Sequence, residues 1–253
     1  MFSEAAPYVE HILVTEFDHS HSGLERDFIF NRHVEEFAAA FPQLNYLQGV
    51  NIPGLIKGAK TADDQHHNER LMRGWWASQY RFKSRDVIFS TDADEVLYSS
   101  TYRWVLDHFS WRTTRGVKFR LHHFFFRPNL LSLSSEFVAP VALRFGRYNR
   151  VYPNQWRYQG FRLPGYWGAH FSWCMPIKDM EKKLVNYAHA AEQSDLRGSN
   201  LFEHSRENRV MPFGESSDEL HEIGYHSPLL PESFLAHAHR LDEEVLGPKF
   251  PKA

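Results

Sequence analysis

Three carboxylates follow a short apolar run in the stretch VIFSTDADEV, residues 87–96. A buried strand does not accommodate Asp92, Asp94 and Glu95, because each charge costs several kcal/mol to remove from water and to pair. We therefore expect the strand to end just before them.

Two aspartates at positions i and i+2 of an extended turn point the same way, so both can reach one cation. Carboxylate oxygens select hard ions such as Mg²⁺ or Mn²⁺, which keep positions open for water and for substrate phosphates. The motif therefore indicates a metal–diphosphate site, although short acidic turns are common.

Two other interpretations of the same turn stay open. An apolar strand followed by Asp-x-Asp-x-Val is similar to the nucleophile loop of haloacid-dehalogenase-like, Mg-dependent phosphatases, in which Asp92 would attack phosphorus and Asp94 would handle protons. That class also needs a later acidic pair after another apolar strand, and the downstream stretches SSDEL and RLDEEV do not resemble strand ends. Alternatively, the two aspartates only cap the next predicted helix, STYRWVLDHF, at residues 100–109.

Strands and helices alternate in the part of the chain that leads to the acidic turn. In chain order the apolar spacing predicts a strand at 11–17, a helix at 32–41, a strand at 44–50, a helix at 65–82 and a strand at 87–91. A polar turn ending at Gly23 follows the first strand, and Asp63 and Asp64 are the expected N-caps of the long helix. This alternation is typical of a mostly parallel sheet covered by helices, in which ligands bind beyond the carboxyl ends of the strands. Asp92 and Asp94 fall at that edge.

The second half of the chain is less regular. The stretch GVKFRLHHFFF, residues 116–126, alternates as a strand with one buried face. Residues 128–168 are rich in aromatic residues and arginine, and we expect them to be irregular. A late helix is predicted at 180–193, after Asp179, and little periodicity follows it.

The composition indicates one folded domain of 253 residues, 42% of them hydrophobic and 15% aromatic. No run near 18 apolar residues and no basic-then-apolar leader is present, so we expect neither a transmembrane segment nor a secretory signal. The single cysteine, Cys174, excludes an internal disulfide. We therefore expect a reducing, cytoplasmic location.

Positive charge is concentrated in the middle of the chain. Between residues 96 and 178 there are twelve lysines and arginines against two acids, although the whole chain carries a net charge of −2. An anionic ligand is therefore expected in this part of the chain. A nucleic-acid-binding module is disfavoured by the balanced overall charge, and a non-catalytic glycan-binding module would not need the two aspartates.

The wider pattern resembles glycosyltransferase family 17, the group that includes the β-1,4-mannosyl-glycoprotein N-acetylglucosaminyltransferases. Five stretches resemble family segments in the family's order, and they span roughly residues 10–235. They are VTEFDHSHSG, NERLMRGW, VIFSTDADEV, GYWGAHFSWC with KKLVNYAHAAE, and, more weakly, YHSPLLPESF. The acidic motif is common to many transferases, so the His-Phe-Ser-Trp-Cys segment is the more specific signal.

The resemblance implies a nucleotide-sugar transferase with a GT-A-type fold, a Rossmann-like mixed, mostly parallel sheet flanked by helices. It implies a Mn²⁺ or Mg²⁺ ion at Asp92 and Asp94, a nucleotide-sugar donor that we expect to be a UDP-sugar, and inversion at the anomeric carbon. The donor-binding half would cover about residues 8–100 and the acceptor half about 101–253. In that arrangement Glu16 would lie near the base or ribose, and Arg70 would support the donor site. We expect a glycan or glycolipid acceptor, and a homo-oligomer is compatible with the sequence.

Four further residues are candidates for the reaction. His170 is a third metal ligand or a phosphate contact, or else a satisfied buried histidine, and Trp173 stacks on a sugar or belongs to the core. An inverting reaction needs a base near the acceptor hydroxyl. Glu136 is the first candidate, with a plain surface acid as the alternative. Glu95 is the second, with a supporting role beneath the metal turn as its alternative.

Overall fold

The computed structural model describes residues 1–109, 116–148, 153–186, 200–212 and 219–235. A short helix, α1 (Phe2–Ala5), precedes a small parallel sheet made of β1 (Ile12–Phe17) and β2 (Leu44–Gly49). A 3-10 turn (Phe30–His33) and α2 (Val34–Ala40) connect the two strands. The predictions for residues 11–17, 32–41 and 44–50 are therefore confirmed.

A larger sheet holds the remaining strands of the described residues. Their order is β3-β6-β5-β8-β4, with β7 beside β5 and β9 beside β6. The strands are β3 (Val87–Ser90), β4 (Glu95–Leu97), β5 (Gly116–Phe125), β6 (Leu130–Arg144), β7 (Phe161–Arg162), β8 (Gly168–Trp173) and β9 (Leu220–Glu222). A turn of four residues, 91–94, joins β3 to β4, the two outer strands of that order, so the sheet curls to bring them together.

The helices that accompany this sheet are of uneven length. They are α3 (Ala62–Gln79), α4 (Ser99–His108), α5 (Phe145–Tyr148), α6 (Pro153–Trp156), α7 (Ile177–Asn186), α8 (Leu201–Asn208) and α9 (Glu232–Leu235). The late helix predicted at 180–193 corresponds to α7, which begins three residues earlier, and residues 187–193 lie outside the described residues. None of the described helices is both long enough and apolar enough to cross a bilayer.

The protein is mixed α/β, but the prediction of a mostly parallel sheet is wrong for the larger sheet. The pairs β3–β6, β5–β6, β4–β8 and β6–β9 are antiparallel, and only β5–β7 and β5–β8 are parallel among the described strands. The reason is β6, a fifteen-residue strand in a stretch predicted to be irregular. It returns directly beside β5 and so creates a long antiparallel hairpin.

The long helix α3 connects the two sheets. Its N-cap is Thr61, whose hydroxyl accepts the Asp64 N–H at 3.2 Å, so the prediction of Asp63 or Asp64 as N-cap was two to three residues late. On one side Trp75 packs edge-on against Phe17 of β1, with ring centroids 5.7 Å apart. On the other side Trp76 packs against Trp156 of α6 at 5.5 Å. Large aromatic side chains on successive residues thus fix the helix between both layers.

The main core lies where α4 covers one face of β5. Tyr102 and Val105 of α4 are buried against Phe119 and Leu121, which alternate along the strand as predicted. Further along, this face carries the polar residue His123 instead of an aliphatic side chain, and this change marks the start of the candidate site.

Candidate functional site

The acidic turn is fixed by its own backbone and by β8. The Asp92 N–H donates to Glu95 Oε2 at 2.8 Å, and the Glu95 N–H donates back to the Asp92 carbonyl at 3.0 Å. The Asp94 carbonyl accepts the Phe171 N–H at 2.8 Å, and Glu95 pairs with His170 in the β4–β8 register. The strand β3 ends before the acids as predicted, but Glu95 is itself the first residue of β4 and is buried, so the prediction was wrong for that residue. The turn brings the acids beside the His170 strand.

Asp92 is held by two arginines. Arg73 of α3 makes a bidentate pair with it, at 2.8 and 2.7 Å, and Arg157 donates to its Oδ2. Arg157 also pairs with Glu95, which is 1% exposed. Burial raises the pKa of Asp92, but the charges of Arg157 and Arg73 outweigh burial and hold that pKa well below its ordinary value. Asp92 is therefore an ionised anchor between helices.

Glu95 has the opposite electrostatic environment. Burial is the largest cause that raises the pKa of its carboxyl, and the neighbouring charge of Asp92 adds to it, while Arg157 lowers it. The result is a pKa of about 8. Asp92 and Glu95 thus have different protonation behaviour because their surroundings differ, which sequence spacing alone does not reveal.

Asp94 faces a lysine on one side and a histidine on the other. Its Oδ2 lies 3.2 Å from Lys183 Nζ, and its Oδ1 lies 3.8 Å from His170 Nε2, beyond hydrogen-bond distance. Burial lowers the pKa of His170 to about 4, so the imidazole is neutral at neutral pH. His170 stacks on Phe137 with ring centroids 3.7 Å apart and lies 4.5 Å from the His123 ring.

The loop after β1 reaches the same region. Burial lowers the pKa of His21 to about 4, and the charges that act on it include those of Glu69, Arg73 and Asp92. Ser22 Oγ donates to the Val185 carbonyl of α7 at 2.6 Å. The loops that follow β1 and β3 therefore approach each other, as expected for carboxyl ends of strands that share a ligand site.

The turn that ends at Gly23 needs glycine. Gly23 has φ of +68°, and a Cβ at this position would lie 2.1 Å from the Ile56 carbonyl oxygen. A side chain here would therefore push the loop away from the 56–58 segment. The predicted turn is confirmed, and its tight packing fixes where His21 and Ser22 lie.

Glu16 and Arg70 are placed differently from each other. Glu16 is buried, and its carboxylate accepts the Ile29 and Phe30 N–H groups at 2.6 and 3.1 Å and the Tyr46 hydroxyl at 2.7 Å. It orders the segment after β1 and has its oxygens occupied. Arg70 is exposed on α3. The arginine of α3 that reaches the acidic turn is Arg73, one turn further along.

Glu136 is not brought to the acidic turn. Ser135 and Phe137 both contact His123, at 2.7 Å and with ring centroids 5.7 Å apart, so the residue between them points to the other face of the sheet. There Glu136 pairs with Arg162 at 2.8 Å and with Arg120 at 3.2 Å. The hydrogen bonds from Arg162 lower the pKa of Glu136, which weakens it as a base.

Trp173 lines the candidate site from the core side. It is 7% exposed and packs against Phe202, with the Lys183 ammonium 5.0 Å from its ring. It offers little free surface for stacking on a sugar. Its place next to Ser172 and Lys183 nevertheless puts it within the wall of the candidate site.

Arg73, Arg157 and Lys183 were not predicted from the sequence. A sequence signal existed for Arg73, because it precedes Trp76 by three residues on the predicted helix and so lies on the same face as that apolar residue. Arg157 lay in the stretch expected to be irregular. Lys183 was part of the Lys-rich helix, and nothing in its spacing distinguished it from Lys182.

The donor set fits a divalent cation only in part. No group of three His, Cys, Asp or Glu side chains that could hold a metal occurs among the residues that the structure describes. The carboxylate of Asp92 is engaged by arginines, so the predicted trio of Asp92, Asp94 and His170 is not assembled. Asp94 Oδ1 and the neutral His170 Nε2 do face each other without a hydrogen bond, and both atoms are of a kind that binds Mn²⁺.

The two simpler interpretations of the acidic turn do not agree with this geometry. The first N–H of α4, that of Ser99, is accepted by Glu4 at 3.0 Å, so the aspartates do not cap that helix. A phosphatase nucleophile needs a free carboxylate, whereas two guanidinium groups hold Asp92. The described turn is therefore neither a helix cap nor a free nucleophile loop.

The fold is mixed α/β, and the acidic turn after β3 lies beside His170 of β8. This arrangement is compatible with a transferase that binds a charged donor. Residues 1–222 match the model of Glycosyltransferase family 17. The chain belongs to glycosyltransferase family 17 and is an enzyme of the glycosyltransferase class. No curated protein and no solved structure gave a significant match.

Proposed function

We propose that the protein is a metal-dependent, inverting glycosyltransferase that moves a sugar from a nucleotide-diphosphate donor to a glycan hydroxyl. A UDP-sugar donor, a glycan or glycolipid acceptor, a GT-A-type arrangement and a cytoplasmic location are parts of this proposal. The observation that carries the metal dependence is Asp94 Oδ1 opposite the neutral His170 Nε2, 3.8 Å away, beside the end of β3.

Asp94 and His170 would hold a Mn²⁺ or Mg²⁺ ion in this proposal. Such an ion, when bound, supplies positive charge that stabilises the departing nucleotide diphosphate. Asp92 contributes through its ion pairs with Arg73 and Arg157, which fix the turn that carries Asp94. The first aspartate of the motif thus supports the site and the second one acts in it.

The donor is expected between the loop after β1 and the last turn of α7. His21 lies near Asp92 on one side, and the Ser22–Val185 hydrogen bond closes the other. Glu16 acts indirectly, because it orders the 29–31 segment through backbone N–H groups. Arg70 is exposed on the α3 surface and remains our predicted outer contact for the donor.

Two carboxylates were predicted as the base that deprotonates the acceptor, and each lacks a property that the other has. Glu95 has a pKa of about 8, which suits a base, but it is 1% exposed and paired with Arg157. Glu136 is accessible, but it is paired with two arginines on the other face of the sheet. We propose that Glu95 supports the metal turn. Substitution of Glu136 tests whether that carboxylate is the base, which its pairing on the other face of the sheet disfavours.

The experiment is to measure release of nucleoside diphosphate from a panel of UDP-, GDP- and dTDP-sugars, with and without EDTA. We expect turnover with one donor class that is lost in EDTA and restored by Mn²⁺. Asp94→Asn should slow turnover by about 100-fold or more. Asp179→Asn changes an acid of α7 whose side chain is 40% exposed and pairs with Lys182, and it should leave turnover unchanged. EDTA-insensitive turnover, or full activity of Asp94→Asn, would count against the proposal.

A further inference from the structure

The Lys183 ammonium lies at the meeting point of α7, β8 and the acidic turn. Its Nζ donates to the Ser172 carbonyl at 2.7 Å, to Ser172 Oγ at 2.6 Å and to Asp94 Oδ2 at 3.2 Å. An ammonium group has three donors, so these three acceptors use all of them. Lys183 therefore has no N–H left for a phosphate oxygen.

The two bonds to Ser172 are the shorter ones, so Lys183 is held in place by β8 independently of Asp94. The ammonium also lies over the Trp173 ring, 5.0 Å from its centroid, and this cation–π contact holds it further. A lysine fixed in this way presents its charge at one defined point. It binds one oxygen of Asp94 and leaves the other directed to His170.

We infer that Lys183 is a positioning residue that orients the Asp94 carboxylate, so that Oδ1 faces His170 while Oδ2 is retained by the ammonium. This inference rests on the proposed function, because it assigns the free oxygen of Asp94 to the cation. The backbone of Asp94 is already fixed by the Phe171 N–H at 2.8 Å. Only the side-chain rotation remains to be set, and Lys183 sets it.

The opposite expectation follows if Lys183 is only a counter-ion. A positive charge near a cation site repels the cation, so removing that charge would tighten Mn²⁺ binding. Removing a group that orients a ligand carboxylate instead weakens metal binding, typically by about 10- to 100-fold. The two roles therefore predict opposite changes in Mn²⁺ affinity when the lysine is replaced.

The test uses Lys183→Met, which keeps the stem and removes the charge, and Ser172→Ala, which loosens the lysine without changing any charge. Lys182→Met is the matched control, because Lys182 is 72% exposed and pairs only with Asp179 among the described residues. Mn²⁺ affinity is measured by electron paramagnetic resonance. We expect a loss of about 10-fold or more for Lys183→Met, a smaller loss for Ser172→Ala and none for Lys182→Met.

Metal-free crystal structures of the wild type and of Lys183→Met provide a readout that does not depend on metal binding. We expect the Asp94 carboxylate to turn away from His170 in the variant. An unchanged Asp94 rotamer, or tighter Mn²⁺ binding by Lys183→Met, would overturn the inference. If Lys183→Met does not fold, wild-type Mn²⁺ affinity in Ser172→Ala would overturn it. A wild-type protein that binds no Mn²⁺ would instead contradict the proposed function, and the Asp94 rotamer would still decide the role of Lys183.

Discussion

The three carboxylates of the acidic turn have three different environments. Asp92 is ionised between two arginines, Asp94 has one oxygen directed to a neutral histidine, and Glu95 is buried with a raised pKa. The sequence predicted a shared metal role for Asp92 and Asp94 from their i, i+2 spacing. Spacing indicates only that two side chains point the same way, whereas the partners supplied by distant residues decide their roles.

Substitution of Glu136 tests the acceptor base at the residue scale. We expect Glu136→Gln to turn over at a near-normal rate, because Glu136 lies on the face of the sheet opposite His170 and its charge is shared by Arg120 and Arg162. The measurement is steady-state kinetics with the donor identified in the release assay. If turnover instead slows by about 100-fold or more, Glu136 is restored as the base and the acceptor lies on that face.

Three elements meet through one network of charged groups. Arg73 of α3 and Arg157, which follows α6, both bind the turn between β3 and β4. The Arg73 guanidinium also pairs with Glu69 at 3.0 Å on its own helix. Because the network joins elements that are distant in sequence, it makes the position of the turn depend on the packing of both helices.

Removing Arg157 tests this network at the element scale. At about pH 9, above the pKa of about 8 of the Glu95 carboxyl, we expect Arg157→Gln to lower the free energy of unfolding by about 3–5 kcal/mol, because it leaves the ionised, buried carboxylate without its cation. The measurement is urea-induced unfolding. Arg162→Gln is the control, since it removes an arginine from an exposed pair with Glu136, and we expect little change.

A second variant separates loss of the charge pair from loss of packing. In Arg157→Gln combined with Glu95→Gln, no unpaired buried charge remains at Glu95, so more than half of the lost stability should return. If the double variant is as unstable as Arg157→Gln alone, the network does not act through the Glu95 charge.

The parts of the fold that were predictable are those with one clear period. The strands β1, β2, β3 and β5 and the helices α3 and α4 were predicted because apolar residues recur at spacings of two or of three and four. The strand β6 was missed, because the segment SLSSEF within it has polar residues at both odd and even positions, so no period of two is visible there. Without β6 the antiparallel hairpin, the position of Glu136 and the place of Arg157 were not predictable.

Histidines that are neutral because of desolvation occur in several parts of the molecule. Burial lowers the pKa of His21, His122 and His170 to about 4, from an ordinary value of 6.5. They come from the loop after β1, from β5 and from β8. Each is therefore uncharged in the folded protein at a pH where the unfolded chain would protonate it.

This difference predicts how stability depends on pH. Between pH 6.5 and about 4 the unfolded chain binds more protons than the folded protein, so the free energy of unfolding falls as the pH falls. The loss should be on the order of 2–3 kcal/mol for each of His21 and His170. Urea unfolding of the metal-free protein at several pH values measures it.

One variant assigns part of that pH dependence to a single residue. His21→Asn should flatten the profile between pH 6.5 and about 4, whereas His33→Asn, at an exposed position on the 3-10 turn, should leave it unchanged. A wild-type profile that is flat over this range would contradict the neutral state of these histidines.

The most direct test of the central claim, that Asp94 lies in a metal-dependent donor site, is the melting temperature in the presence of nucleotides. Wild type and Asp94→Asn are compared with UDP, GDP, CMP and dTDP, each with and without Mn²⁺. A ligand at 100 times its Kd stabilises by about 2.7 kcal/mol, which raises the melting temperature of a domain of this size by a few degrees. We predict a Mn²⁺-dependent rise with UDP in the wild type and none in Asp94→Asn. An equal rise in both proteins, or no rise with any nucleotide, would contradict the claim.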